Sequence, residues 1–207
     1  MKKRIICLSL ALAMIFGLCA CGGSGKYKVV KSLGTQEYSI GFRNGDSTYH
    51  YIDKALRELS YEGVIDDLST QWFGSSRTVD FPSKKDALDE LGYIEERTFI
   101  IGVDLESAPL SFQKDGEYVG FDIDLAKKVC EKLGWVLKIQ PIHSEDAYVE
   151  LNSGNIDCAW GGVALDTECP DYTILVTYMS TDIVLAGLSS GSSSVRDKLL
   201  YIGTTQT

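Results

Sequence analysis

The sequence predicts an α/β fold in which a mostly parallel sheet is covered by helices, and two stretches of hydrophobic patterning predict it. Residues 98–160 read strand, helix, strand, helix, strand, the pattern of parallel strands joined by helical crossovers. Residues 38–74 read as one strand followed by two short amphipathic helices.

Tyr38-Ser39-Ile40-Gly41-Phe42 alternates as a strand does. Asp46 or Ser47 caps the next helix, where Ile52, Ala55, Leu56 and Leu59 recur at helical spacing, and Gly63 stops it. Val64, Ile65, Leu68 and Trp72 mark a second helix ending near Trp72-Phe73-Gly74. Residues 75–82 read as a polar linker with Pro82. Ser83-Lys84-Lys85-Asp86 resembles an acidic variant of a capping box, which predicts a helix from Lys84 to Leu91 ended by Gly92. Thr98 to Val103 is a buried-strand run, and a loop around Pro109 follows. Phe121, Leu125, Val129 and Leu133 predict a helix over 122–133 with Gly134 as its stop. Val136 to Ile139 and Ile156 to Trp160 are strands flanking a helix over 145–152 entered at Ser144, and Ile183 to Ala186 suggests one more strand. Residues 188–194 read as a Gly/Ser linker, with Leu199 to Gly203 an apolar remnant beyond it.

The amino terminus reads as a targeting segment. Lys2, Lys3 and Arg4 precede an apolar run from Ile5 to Leu18, which is short for a membrane span, and Leu18-Cys19-Ala20-Cys21 resembles a bacterial lipobox. Residues 1–20 are therefore expected to be a cleaved lipoprotein signal and Cys21 the lipidated residue, with residues 21–30 a flexible tether. Loss of the three cations lowers the 20 Lys and Arg to 17 against 29 Asp and Glu, net −12. Such a balance argues against nucleic acid, whose phosphates demand a basic footprint. Cys130, Cys158 and Cys169 would then remain, an odd set in which at least one thiol is free or paired between chains. A Cys158–Cys169 bridge is left open; their spacing is not that of a zinc site, and no metal or cofactor is expected.

Several landmarks carry a family resemblance. Gly102-Val103-Asp104, Pro109, Phe112 and Gly120-Phe121-Asp122-Ile123-Asp124-Leu125-Ala126 look like the opening of the polar amino-acid-binding proteins of ABC importers. Leu151 to Trp160 and Tyr178-Met179 resemble the next landmarks. Gly41-Phe42-Arg43-Asn44-Gly45-Asp46, Gly63 and Trp72-Phe73-Gly74 resemble the closing segment, yet they come first. The resemblance implies a three-layer sandwich with a mixed, mostly parallel sheet: lobe 1 of the periplasmic-binding-protein type II architecture, circularly permuted. Residues 31–187 would be that single lobe, with 31–74 the family's C-terminal segment, 75–97 a new connection and 98–187 its N-terminal segment. Residues 188–207 would hold the linker and a remnant of the second lobe.

In the family an arginine takes the ligand carboxylate, an aromatic covers the ligand, and a Thr or Ser adds a hydrogen bond. Here those positions fall at Glu168 (or Cys169 with a one-residue shift), Ser107 and Ala164. Without the arginine and the aromatic, binding of a zwitterionic amino acid weakens by roughly 30- to several-thousand-fold. The resemblance places a cleft face at Asp104, Ser107, Trp160, Gly161, Gly162 and Glu168, with Asp104 and Glu168 suited to a cation or amine and Trp160 as an apolar platform, although a core or rim aromatic is the slightly favoured reading of Trp160. Asp122 and Asp124, two apart, do not share a helix face and read as helix-terminus carboxylates. Gly161-Gly162 reads as a tight turn before an anion cradle, since no phosphate-loop fingerprint follows. His50 and His143 accompany no nucleophile motif.

The expected function is a lipid-anchored, extracytoplasmic solute-binding-like protein with altered or weakened ligand binding. The expected partners are a small-molecule ligand (an amino acid or an amine), an ABC permease, the membrane through the lipid, and a second molecule through residues 199–203. An interaction protein that has lost ligand binding is the alternative. An enzyme on the same fold is the third reading, and no catalytic residue is assigned.

Overall fold

The computed structural model describes residues 27–76, 79–163, 165–166, 169–188 and 201–206. Strand β1 (Tyr27–Arg43) leads into helices α1 (Thr48–Tyr61) and α2 (Val64–Phe73). Strand β2 (Thr98–Val103) is followed by three short strands, β3 (Glu106–Ser107), β4 (Ser111–Lys114) and β5 (Glu117–Val119). Then come α3 (Phe121–Leu133), β6 (Val136–Pro141), α4 (Ala147–Ser153), β7 (Cys158–Ala159), β8 (Tyr172–Leu188) and β9 (Tyr201–Gln206).

Among the described residues, those within 34–183 together with 204–206 form one compact unit. Its main sheet runs β6-β2-β7-β1-β8, and β3-β4-β5 make a separate small sheet. Strand β2 is parallel to both β6 and β7, whereas β1 meets β7 antiparallel through Gly41↔Ala159 and Phe42↔Cys158. Residues 38–42 and 98–160 therefore share one mixed sheet, although 55 residues separate the two segments in the chain.

Alternation along β2 divides the core into two layers. Phe99, Ile101 and Val103 join Ile40 and Phe42 of β1, Ile52, Leu56 and Leu59 of α1, and Leu125 and Val129 of α3. Ile100 points to the opposite face, where Ala147 and Leu151 of α4 pack with Ile156, Ala159 and Val163. Helices thus cover both faces, the three-layer α/β sandwich the sequence predicts. Each fully buried Ile, Leu or Phe contributes about 1.5–3 kcal/mol of transfer free energy.

The smaller unit holds, among the described residues, 27–33, 184–188 and 201–203. Val29, Val30 and Leu33 are exposed there and Val184 is buried.

Several expectations are corrected. Tyr27 to Val30, expected in a tether, belong to β1. The segment around 79–82 is not a free linker: Val79 and Phe81 are buried, the Asp80 N–H donates to the Tyr178 carbonyl at 2.9 Å, and Phe81 stacks on the Tyr178 ring. The helix expected over 84–91 shrinks to a 3-10 turn, Ala87–Glu90, because Asp86 is left-handed (φ 51°) and makes no cap. Asp46 rather than Ser47 supplies the side-chain contact at the start of α1, its Oδ1 accepting the Thr48 N–H at 2.8 Å. Cys130, Cys158 and Cys169 are all free thiols, so the Cys158–Cys169 bridge is not formed. The strand expected at Ile183 to Ala186 is part of the longer β8, and Tyr201–Gln206 (β9) has β8 of its own chain as neighbour, at the end of the strand order. Residues 1–20, Cys21, residues 189–194 and Leu199-Leu200 lie outside the described residues. Among the described residues no helix is long and apolar enough to cross a membrane.

Candidate functional site

The carboxyl ends of the parallel strands are where an open α/β sheet presents a crevice. A cavity of about 320 Å³ lies at the ends of β2 and β6, lined by Asp104, Leu105 and Glu106 on one side and Pro141, Ile142 and His143 on the other. Asp146 and Glu150 complete it from the turn before α4 and from α4 itself. The described lining carries four carboxyl groups and no Lys or Arg.

Asp104 borders this cavity, but both its oxygens already have partners. Oδ2 accepts from the Ser144 hydroxyl at 2.7 Å and the Ser144 N–H at 3.2 Å, and Oδ1 accepts the Glu106 N–H at 3.0 Å. It fastens the loop after β2 to the loop after β6.

Ser107, Gly161 and Gly162 are similarly consumed. The Asp104 N–H donates to the Gly161 carbonyl at 2.8 Å, and the Ser107 hydroxyl donates to the Gly162 carbonyl at 2.9 Å. Ser111 Oγ lies 2.6 Å from both the Asp104 and the Gly161 carbonyl oxygens and donates its one proton between them. The Gly162 N–H donates to Asp122 Oδ2 at 2.7 Å. The pair bends the chain, and the Gly162 N–H is taken by a carboxylate rather than open to an anion. Glycine is required at 162: φ is +68°, and a Cβ would sit 2.3 Å from Ser107 Cβ.

Trp160 is corrected. It is fully buried in the core cluster with Phe42, Phe99 and Tyr178, so it offers no open platform to a ligand. The structure brings Asp104, Ser107, Gly161 and Gly162 together; Glu168 and Ala164 lie outside the described residues. Cys169 lies 3.8 Å through sulfur from Asp171 Oδ2. His143 lines the cavity, whereas His50 lies against Tyr49 with the rings tilted by 36° and their centroids 3.9 Å apart.

Asp122 is the residue whose role reading by sequence undervalued. Its Oδ2 accepts the Gly162 N–H and the Tyr178 O–H, each at 2.7 Å. Burial pushes its pKa up to about 7, against the lowering effects of the Tyr178 hydroxyl, the Gly162 N–H and the Trp160 indole. Asp122 Oδ1 and Trp160 Nε1 are both buried without a well-formed hydrogen bond, and the indole acts on the carboxyl from close by, lowering its value. Asp124, two residues on, faces elsewhere and accepts from the Trp72 indole at 3.1 Å. Among the described residues no group of three or more His, Cys, Asp or Glu is placed to hold a metal ion.

With this geometry in place, residues 99–189 match the bacterial extracellular solute-binding proteins, family 3. Over those residues the chain is similar to that family. It is 30% identical over 97 residues to the probable ABC transporter arginine-binding protein ArtJ of Chlamydia trachomatis, covering 46% of this chain and 38% of that protein. It is 23% identical over 104 residues to the arginine-binding extracellular protein ArtP of Bacillus subtilis, covering 49% and 41%. A solved polar amino acid ABC uptake transporter substrate-binding protein from Streptococcus thermophilus is 38% identical over 34% of this chain and 27% of its own, with a TM-score of 0.32. The matched part spans about two fifths of either curated relative.

Proposed function

We propose that this chain is a lipid-anchored, extracytoplasmic solute-binding protein related to amino-acid importer receptors, whose cleft takes a cationic amine more readily than a zwitterionic amino acid. The family match of residues 99–189 supports the receptor class and its extracytoplasmic place. One observation carries the ligand class: the cavity at the ends of β2 and β6 is walled by Asp104, Glu106, Asp146 and Glu150, with no lining cation among the described residues. A free α-carboxylate entering there meets like charge, while an ammonium or guanidinium meets opposite charge. Both curated relatives are named as arginine-binding, and a guanidinium side chain fits the same acidic wall.

The remaining parts of the reading rest on sequence. Cys21 would carry the lipid, the reversed order of residues 38–74 and 98–187 would be a circular permutation of lobe 1, and an ABC permease would be the partner. Residues 199–203, within or beside an end strand, would offer an edge for self-association. An interaction protein without a ligand is the second reading, favoured by the internal use of Ser107, Gly161, Gly162 and both Asp104 oxygens. Calorimetry of the mature chain with putrescine, arginine and glutamine separates the readings. The proposal expects saturable binding of putrescine tighter than that of glutamine, lost in Glu106→Gln/Glu150→Gln. Tighter binding of glutamine would overturn the ligand class, and no binding of any of the three would favour the interaction protein.

A further inference from the structure

We propose that Asp122 is a proton-sensitive latch for the turn at Gly161-Gly162, holding it closed when the carboxyl is protonated and releasing it on ionisation. The proposal deepens the cleft reading above and rests on it for its consequence, since the turn stands beside the cleft.

The geometry is that of a latch. One oxygen, Oδ2, holds the Gly162 N–H from the turn and the Tyr178 O–H from β8, while Oδ1 has no hydrogen-bond partner. A carboxyl protonated on Oδ1 keeps Oδ2 as a carbonyl acceptor, so both contacts survive in the neutral form. An ionised carboxyl in the same place leaves charge on a fully buried group whose Oδ1 has only the nearby Trp160 indole, without a well-formed hydrogen bond, to set against it, which is costly. Opening the turn at Gly162 removes a direct cover from that carboxyl and lets solvent reach it.

Gly162 is also the lever. Its carbonyl accepts from Ser107, and the neighbouring Gly161 carbonyl accepts from Ser111 and the Asp104 N–H. Release at Gly162 therefore loosens the loop after β2, which forms one wall of the cavity.

Ionisable groups approach Asp122 from the neighbouring strands and from its own helix. From β8, burial and then Asp122 itself push Tyr178 well above its ordinary value. From β1, burial raises Tyr38, which also interacts with Thr181, Asp122 and Asp104. From β7, burial raises the Cys158 thiol, which acts on Tyr178. Asp124, on the same helix, is paired with Lys127 and the Trp72 indole. The Asp122 carboxyl titrates at about 7 in the closed form. A solvated carboxyl in the open form would titrate near 4, so opening becomes easier as pH rises between those values.

Hydrogen exchange of the full mature chain, read residue by residue by NMR and corrected for intrinsic rates, tests this. Gly162 should be less protected than Leu56 and Leu59 of α1, its protection should fall at least about tenfold between pH 5 and 7 and level off above, and Asp122→Asn should abolish the fall. Wild-type Gly162 protection that is flat from pH 5 to 7 overturns the latch. So does exchange of Gly162 at the protection of Leu56 and Leu59, or a fall that persists in Asp122→Asn. The measurement uses no ligand, so its failure leaves the cleft reading standing, and a failed calorimetric titration leaves the latch standing.

Discussion

Arg43 donates from Nη1 to the Leu151 carbonyl at 2.7 Å, and so ties the end of β1 to the last turn of α4, 108 residues later in the chain. The same nitrogen donates to the Ile156 carbonyl at 2.9 Å, and Nη2 donates to Asp46 Oδ2 at 2.9 Å. Burial alone would raise the Asp46 carboxyl, yet the Thr48 hydrogen bonds and Arg43 hold it below its ordinary value. One guanidinium thereby fixes the helix start at Thr48 and the entry into β7. Arg43→Met should keep much of the packing and lose these bonds, costing about 1–3 kcal/mol in urea unfolding. A loss below about 0.5 kcal/mol would mean that water replaces the guanidinium without penalty.

The layers of this fold were legible because periodicity reports burial. Phe99, Ile101 and Val103 against Ile100, and Ile52, Leu56 and Leu59 on α1, announce their faces directly. The β4–β5 hairpin was also written in the chain, since Asp115 (φ 53°) and Gly116 (φ 87°) make the two-residue turn that joins Lys114 to Glu117. The loop reading around Pro109 passed over it. The site was less legible. Ser107, Gly161 and Gly162 are neighbours in the structure, but Trp160 lies on the core side of β7, because the side chain at a strand end follows the pleat rather than the cleft. Asp122 read as a helix-terminus carboxylate because its partners, Gly162 and Tyr178, are 40 and 56 residues away, and no local pattern encodes them.

Gly162→Ala should be much costlier than Gly116→Ala. Both glycines have left-handed φ, +68° and +87°, so both alanines carry the backbone penalty of about 1 kcal/mol. Only at 162 does the new Cβ also collide, 2.3 Å from Ser107 Cβ and 2.7 Å from Ser111 Oγ, while at 116 nothing lies within 4 Å. The added overpacking should cost a further 1–3 kcal/mol or so, read as the difference between the two urea midpoints at equal m. Equal midpoints would show that the serine loop yields freely.

Cys21→Ala should abolish acylation and release the protein from membranes. The order of Lys2-Lys3-Arg4, the apolar run to Leu18 and the Leu18–Cys21 motif motivates it. A single diacylglycerol on Cys21 would supply two acyl chains, enough for stable anchoring without basic residues. Metabolic labelling with palmitate followed by membrane fractionation measures both consequences, and label retained by the Cys21→Ala protein would remove the assignment.

Stability should fall as pH rises from about 4 to about 7, and Asp122 should account for the fall. Its carboxyl titrates at about 7 in the folded protein, raised by burial, against an ordinary value of 3.8 when unfolded. Between those values the folded state binds the extra proton, so the contribution is full below about pH 4, is lost progressively up to about 7, and is constant above. Carboxylates with depressed values act in the opposite sense and lower down: Asp46 and Glu58, held below their ordinary 3.8 and 4.5, stabilise above those values and lose that contribution as pH falls. The two effects therefore separate along the pH axis. Urea unfolding from pH 4.5 to 7.5 should show wild type losing at most about 3 kcal/mol across the window. Asp122→Asn, which cannot ionise, should be nearly flat over the same range while keeping an oxygen for the Gly162 N–H and the Tyr178 O–H. If the variant fell as steeply as the wild type, the titrating group would be another one and the buried carboxyl at 122 would already be hydrated in the native protein.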